Sequence, residues 1–453
     1  MLKKFTPILI LLLVSASFFA QPDPGFHFVN PNQRAIKIKF EQLNNLIIIP
    51  VELNGVELSF LLDTGVDKTL LIALEAGESM ELNKANQVNI RGLGIDDNFV
   101  AYQSIENTLQ IGSAIHNNKD VYFIIDKDNK LTKRLGLPIN GIIGYDFFKD
   151  FIVRIDYKRN LIKLYNPEKF NRKLRSFEAL PLLFYKRKPY LNLKVKDSSI
   201  TKPNLNLLFD TGSGSSFWLL EKEYIQVPQL YFKDILGYGF NSTIKGKRSR
   251  VQEVVLGKYR INQPTVAYPN VDQIIQIEQN VMRDGTIGAE ILRRFKWFID
   301  YPNKRIYFKS NSNYNETFGY DMSGLVLEFD GIKMVKRIKS VKMNIEKYTQ
   351  FNEELNPKSR NDFILSVEIQ PKLIISDIRL DSPAADASIK VGDELIKINS
   401  KEVYQLKLKQ IQQILSEEEG KKVKLELNRK GKILKKEIYL RDRFKDLIQN
   451  SKN

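Results

Sequence analysis

Cysteine is absent from all 453 residues, and histidine occurs only as His27 and His116. Without a thiol there is no disulfide, no thiolate nucleophile, no iron–sulfur cluster, no Cys-based zinc site and no lipid-modified N-terminal Cys. Two histidines cannot build a His-rich metal centre, and they leave a Ser/His/Asp triad only two candidate bases. The expectation is chemistry that rests on carboxylates and needs neither a metal nor an organic cofactor. Long hydrophobic runs are also scarce, and no segment after the N-terminal region is long enough to cross a membrane. Acidic residues are outnumbered: 70 Lys and Arg face 53 Asp and Glu, a net charge of +17. The cations are spread along the chain, which argues against a nucleic-acid partner. The densest run, KGKRSR at 245–250, reads as a solvated loop, while attraction to anionic surfaces or acidic partners stays open.

What is present points to a folded, exported protein. A hydrophobic fraction of 43% with 11% aromatics supports packed cores, and the length suggests about three domains. Lys3 and Lys4 precede an apolar run from Ile8 to Ala20, followed by Gln21 and PDPG. The run is too short to span a bilayer comfortably, so residues 1–20 read as a cleaved export signal and the protein as periplasmic or secreted. Phe18 departs from the small-residue cleavage rule, which leaves an uncleaved N-terminal membrane anchor as the alternative.

The chain repeats itself. FLLDTGVDKTLL around Asp63 is echoed by LLFDTGSGSSFWLL around Asp210, 147 residues later. Gly92-Leu93-Gly94 recurs as Gly237-Tyr238-Gly239 and the strand end at Gly112 as that at Gly257, both at an offset of 145. Ile142-Ile143-Gly144 recurs as Thr286-Ile287-Gly288, and Asp156-Tyr157 as Asp300-Tyr301, both at 144. Landmarks in one order at one period indicate two homologous halves. Each half alternates β-branched and aromatic runs with turn signals such as Asn-Gly, and only short helices are suggested, after Gly144 and after Gly288. The fold class expected is mainly β, with two lobes over 34–170 and 180–310. A single Asp-Thr-Gly triplet would read as a turn, but two copies in register with a repeat, each after an apolar strand, mark a paired carboxylate site.

At these residues the chain resembles the aspartic proteases, over about 34 to 310. Leu62-Asp63-Thr64-Gly65-Val66-Asp67-Lys68-Thr69 is similar to the active-site loop of retroviral-type enzymes, and Phe209-Asp210-Thr211-Gly212-Ser213-Gly214-Ser215 to that of the pepsins. Ile142-Ile143-Gly144 fits the family's apolar-apolar-Gly support; Thr286-Ile287-Gly288 departs at its first position. The resemblance implies a bilobal acid-protease-like β-barrel fold with Asp63 and Asp210 as the catalytic pair. It implies that Thr64 and Thr211 bond across to the opposite loop, that Gly65 and Gly212 permit close approach, and that Gly144 and Gly288 back the two loops. Two carboxyls about 3 Å apart cannot both ionise, so they share one proton; the ionised member activates a water and the protonated member polarises the scissile carbonyl. Ser213 could donate to Asp210 where Val66 cannot, which would make Asp210 the more readily ionised. The segments from Gly92 to Tyr102 and from Gly237 to Ser242 stand where the family carries hairpin lids, though ordinary hairpins would look the same.

From about Gly324 the pattern changes. Asp381-Ser382-Pro383-Ala384-Ala385, then Val391-Gly392-Asp393-Glu394-Leu395-Ile396-Lys397-Ile398-Asn399, resembles a PDZ domain, a small α+β unit over 320–445. Such domains bind a C-terminus or an internal peptide by strand addition. Gly324, Leu325, Val326 and Leu327 are the candidate peptide-binding loop. Leu408, Ile411 and Leu415 line either the groove or the core, and core packing is favoured for at least two of them. A polar insertion between Val341 and Gln370 reads as a long loop. The function expected is an exported, monomeric aspartic endopeptidase whose PDZ unit recruits polypeptide substrates. A catalytically silent peptide-binding scaffold and a basic surface-binding protein are the rival readings.

Overall fold

The computed structural model describes residues 25–72, 80–91, 98–124, 133, 139–238, 243–273, 282–342 and 361–450. The expected export signal, Gly92-Leu93-Gly94 and the stretch from Gly239 to Ser242 lie outside the described residues. Those described are mainly β, in four sheets.

The first lobe is a nine-stranded sheet built from hairpins that the sequence announces. Strands Leu46–Leu53 and Val56–Leu62 pair antiparallel around Asn54-Gly55, both with positive φ, the turn geometry that matches strand twist. The lobe reaches further towards the N-terminus than residue 34, because His27–Phe28 pairs with Ala114–Ile124. The second lobe is a ten-stranded sheet of the same plan. A six-stranded sheet joins them, with Ile152–Asp156 and Phe295–Asp300 antiparallel at its centre. There Ile152 faces Asp300 and Asp156 faces Lys296, pairs that exchange under the repeat offset, so the axis relating the halves passes through the Arg154–Phe298 pair. One apolar core runs through both lobes from Phe26 to Phe318. Its continuity makes the two lobes one structural unit.

The C-terminal unit has a separate core, to which Leu408, Ile411 and Leu415 all contribute from the helix Leu408–Leu415. Its Gly-Asp turn is held by charge: Asp393, almost fully buried, accepts two bonds of 2.7 Å from Arg429, and that guanidinium with the Lys390 N–H holds its carboxyl below the ordinary range. The stretch read as a long loop differs. Strands Leu325–Lys342 and Asn361–Ile378 pair from Leu325↔Ile378 to Lys342↔Asn361, with irregularities near Val326 and Phe329. The insertion is therefore in part an extended hairpin, because its Ile, Val and Phe residues alternate as strands do.

This unit packs on the second lobe's hairpin of Phe232–Tyr238 and Thr243–Arg250. The basic run 245–250 is a strand of that hairpin, not a solvated loop. Its cations find partners: Lys245 pairs with Asp377, Lys247 with Glu221 and Arg248 with Asp234, while Arg250 lies over the Phe444 ring and donates to the Phe318 carbonyl. Arg379 reaches Asp234 at 3.4 Å and lies near the rings of Phe232 and Tyr320. Beside it, Asp321 accepts from Gly324 N at 2.6 Å and Ser323 Oγ at 2.8 Å, and burial pushes its carboxyl up to about 6. A carboxyl raised on folding stabilises fully below its unfolded value, and that contribution is lost as pH rises through the folded one. Between pH 5 and 7.5 the melting temperature of the intact chain should therefore fall more than that of Asp321→Asn, measured by differential scanning fluorimetry; parallel curves would contradict this.

Candidate active site

Both Asp-Thr-Gly loops begin where a strand runs out beside a second, parallel strand. Val56–Leu62 lies parallel to Gly141–Ile143, and Asp63 N donates to Ile143 O at 2.9 Å. Leu205–Asp210 lies parallel to Gly285–Gly288, with Asp210 opposite Gly288. The apolar-apolar-Gly segments thus form the backing of each loop. A Cβ on Gly144 would come 2.1 Å from Val66 O, and one on Gly288 would come 2.3 Å from Ser215 O. Only glycine permits so close an approach of backbones.

Four hydrogen bonds lock the loops to each other. Thr64 N donates to Thr211 Oγ1 at 3.1 Å, and Thr64 Oγ1 donates to Phe209 O at 2.5 Å. In return Thr211 N donates to Thr64 Oγ1 at 3.0 Å, and Thr211 Oγ1 to Leu62 O at 2.8 Å. Both threonines are fully buried, where each such bond is strengthened and a missing partner is costly. Gly65 N and Gly212 N each donate to the aspartate two residues earlier, at 2.7 and 2.9 Å. A Cβ on Gly212 would lie 2.2 Å from Asp63 Cγ, and one on Gly65 would lie 3.3 Å from Asp210 Cγ. Each glycine therefore sits against the opposite aspartate.

The Asp63 carboxyl is raised well above the ordinary carboxylate value, first by burial, then by the neighbouring charge of Asp210 and a hydrogen bond with it. The Gly65 N–H and the Lys188 ammonium pull the other way. Among the described residues no hydrogen bond joins the Ser213 hydroxyl to Asp210; Ser213 instead accepts at its carbonyl from Ala289 N at 2.7 Å. The asymmetry of the pair thus has burial of Asp63 as its visible source.

Both aspartates line a cavity of about 620 Å³, with Leu46, Leu61, Trp218 and Ile244 among its apolar walls. One wall residue has no signature in the sequence. Arg283 is buried, donates to Thr286 Oγ1 at 2.5 Å and lines the same cavity. Burial lowers its basicity, while Asp210, Tyr190 and Asp63 sustain its charge. Thr286, where the repeat departs from an apolar residue, is the acceptor that seats this guanidinium. The departure is the one sequence signal that could have led to Arg283. The loop Gly324 to Leu327 lies on the far side of the same cavity.

Residues 49–147 match the family described as aspartyl protease, and residues 374–429 match the PDZ domain. Over 103 residues the chain is 34% identical to the retrovirus-related Pol polyprotein from transposon 412 of Drosophila melanogaster, a segment that is 22% of this chain and 7% of that polyprotein. The crystal structure of aspartic proteinase from Irpex lacteus superposes with a TM-score of 0.40 and 12% identity, over 62% of this chain and 99% of its own. An aspartic-protease-like domain and a C-terminal PDZ domain are both present in this chain.

Proposed function

We propose, from the premise of those two domains, that the chain is an exported endopeptidase in which Asp63 and Asp210 activate a water against a peptide bond. The reading is carried by the reciprocal threonine bonds, which hold the two carboxyls in mutual contact without help from a second chain. Asp63 retains the shared proton and donates a hydrogen bond to the scissile carbonyl oxygen. Asp210 takes a proton from the attacking water, and the tetrahedral adduct collapses as a proton passes to the leaving nitrogen. Apolar walls favour substrates with apolar side chains flanking the cut. One chain suffices for the site, and the PDZ unit brings polypeptides to it. The apolar run before residue 21 supports action outside the cytoplasm.

Incubating the purified chain with an unfolded polypeptide from pH 3 to 8, with products read by mass spectrometry, tests this. Cleavage that a statine-type inhibitor stops is the expected result. No product at any pH would return the chain to the scaffold reading.

Arg283 tunes the pair. A nearby guanidinium favours ionised carboxyls, so Arg283→Gln should move both limbs of the pH–rate profile to higher pH, by about 0.5 to 1 unit. Thr286→Val, which leaves the guanidinium unseated, should move them less. Unmoved limbs in Arg283→Gln would show that its charge does not reach the carboxyls.

A further inference from the structure

The cavity that holds the aspartate pair does not end at the lobes. It continues past Gly319 and Tyr320 to Leu325, Val326 and Leu327 on the PDZ strand, and to Gln412 on the helix Leu408–Leu415. Leu325–Lys342 pairs with Asn361–Ile378 and forms the edge of its sheet. The open side of such a strand can receive an added strand. A polypeptide laid along it would already lie in the space that contains Asp63 and Asp210.

The start of that strand is poorly suited to a chain terminus. Gly324 N is engaged by Asp321 Oδ1 at 2.6 Å, and Leu325 N by Ser323 Oγ at 3.1 Å. These are backbone donors that a carboxylate-capturing loop would turn to a ligand. Here the protein's own side chains use them, and the Asp321 carboxylate repels a second one.

We infer that the PDZ groove of this chain takes an internal, extended segment of the same polypeptide that enters the aspartate cleft, not a free C-terminus. This rests on the proposed function for the identity of the occupant. The continuous cavity supplies the path, the engaged amides disfavour a terminus, and the apolar lining suits an unfolded chain. Gly319 is the point at which the path can be closed. It is exposed, its backbone lies outside the left-handed region, and a Cβ there meets nothing within 4 Å.

The test measures fluorescence anisotropy on full-length Asp63→Asn protein. The probes are labelled unstructured peptides rich in Leu, Phe and Tyr, of about 8 or about 30 residues, which extend to roughly 26 and 100 Å. Each is made with a free or an amidated C-terminus. The long acid and amide should bind alike, within about twofold, while Gly319→Trp weakens both by about tenfold or more through loss of the second contact region. The short peptides should bind Gly319→Trp within about twofold of the parent. Gln412→Trp, which narrows the groove from the helix side, repeats the comparison should Gly319→Trp not melt cooperatively. Binding that drops about tenfold on amidation would overturn the inference, as would long-peptide binding indifferent to both tryptophans. Cleavage is scored separately on the unsubstituted chain. An intact chain that binds in the expected pattern yet cuts nothing would remove the hydrolase reading and still support the shared path.

Discussion

Asp63→Asn and Asp210→Asn should each lower kcat by at least about a thousandfold, and the double variant should be little worse than either alone. Asparagine keeps the shape and one acceptor oxygen of aspartate, so the loop bonds from Gly65 N and Gly212 N survive. It can neither surrender nor take up the shared proton, and the water then meets no base or the carbonyl no acid. The two losses are not additive because the groups act as a unit. Stability separates this from misfolding. The Asp63 carboxyl is raised on folding by burial and by Asp210, so its stabilising contribution is present below the unfolded value and lost as pH rises through the folded one. At neutral pH and above, Asp63→Asn should therefore melt no lower than the parent. A kcat that survives either substitution would refute the roles assigned to the pair.

Gly212→Ala should cost about a hundredfold in kcat, and Gly65→Ala distinctly less. The added methyl on Gly212 would come 2.2 Å from Asp63 Cγ and 2.3 Å from its Oδ2, whereas that on Gly65 comes no closer than 3.0 Å to any neighbour. The Asp63 carboxyl must give way by about 1 Å, a displacement that costs rate through lost alignment. Its partners resist the move, since the threonine bonds fix the backbone on both sides. A destabilisation of about 1–3 kcal/mol should accompany it, as for other overpacked sites. Steady-state kinetics and denaturant unfolding of the two variants check the ordering; equal losses would show that the loops relax independently.

The parts of this structure that are local in sequence, or repeated in it, can be read without coordinates. Asn54-Gly55 announces its hairpin, and the 144-residue offset of Asp156 and Asp300 becomes the axis through the central sheet. The two Asp-Thr-Gly triplets flag the loops that the fold brings together. Arg283 could not be read, because a lone arginine acquires meaning only when Thr286, Asp210 and Asp63 surround it. The run 245–250 misleads for a similar reason. Its charges look solvated until Asp234, Glu221 and Asp377, from distant parts of the chain, come to meet them. Continuity between the cleft and the PDZ strand belongs to the docking of two cores, which no single stretch of sequence encodes.

The pH dependence of kcat/KM for the intact chain tests the central claim most directly, since a pair sharing one proton is active only while it holds that one. The account predicts a bell. Its acid limb follows loss of the first proton from the pair, and its alkaline limb follows loss of the second, held by Asp63 above the ordinary carboxylate range. A rate that stays flat, or keeps rising through the alkaline region where both carboxyls are ionised, would contradict it.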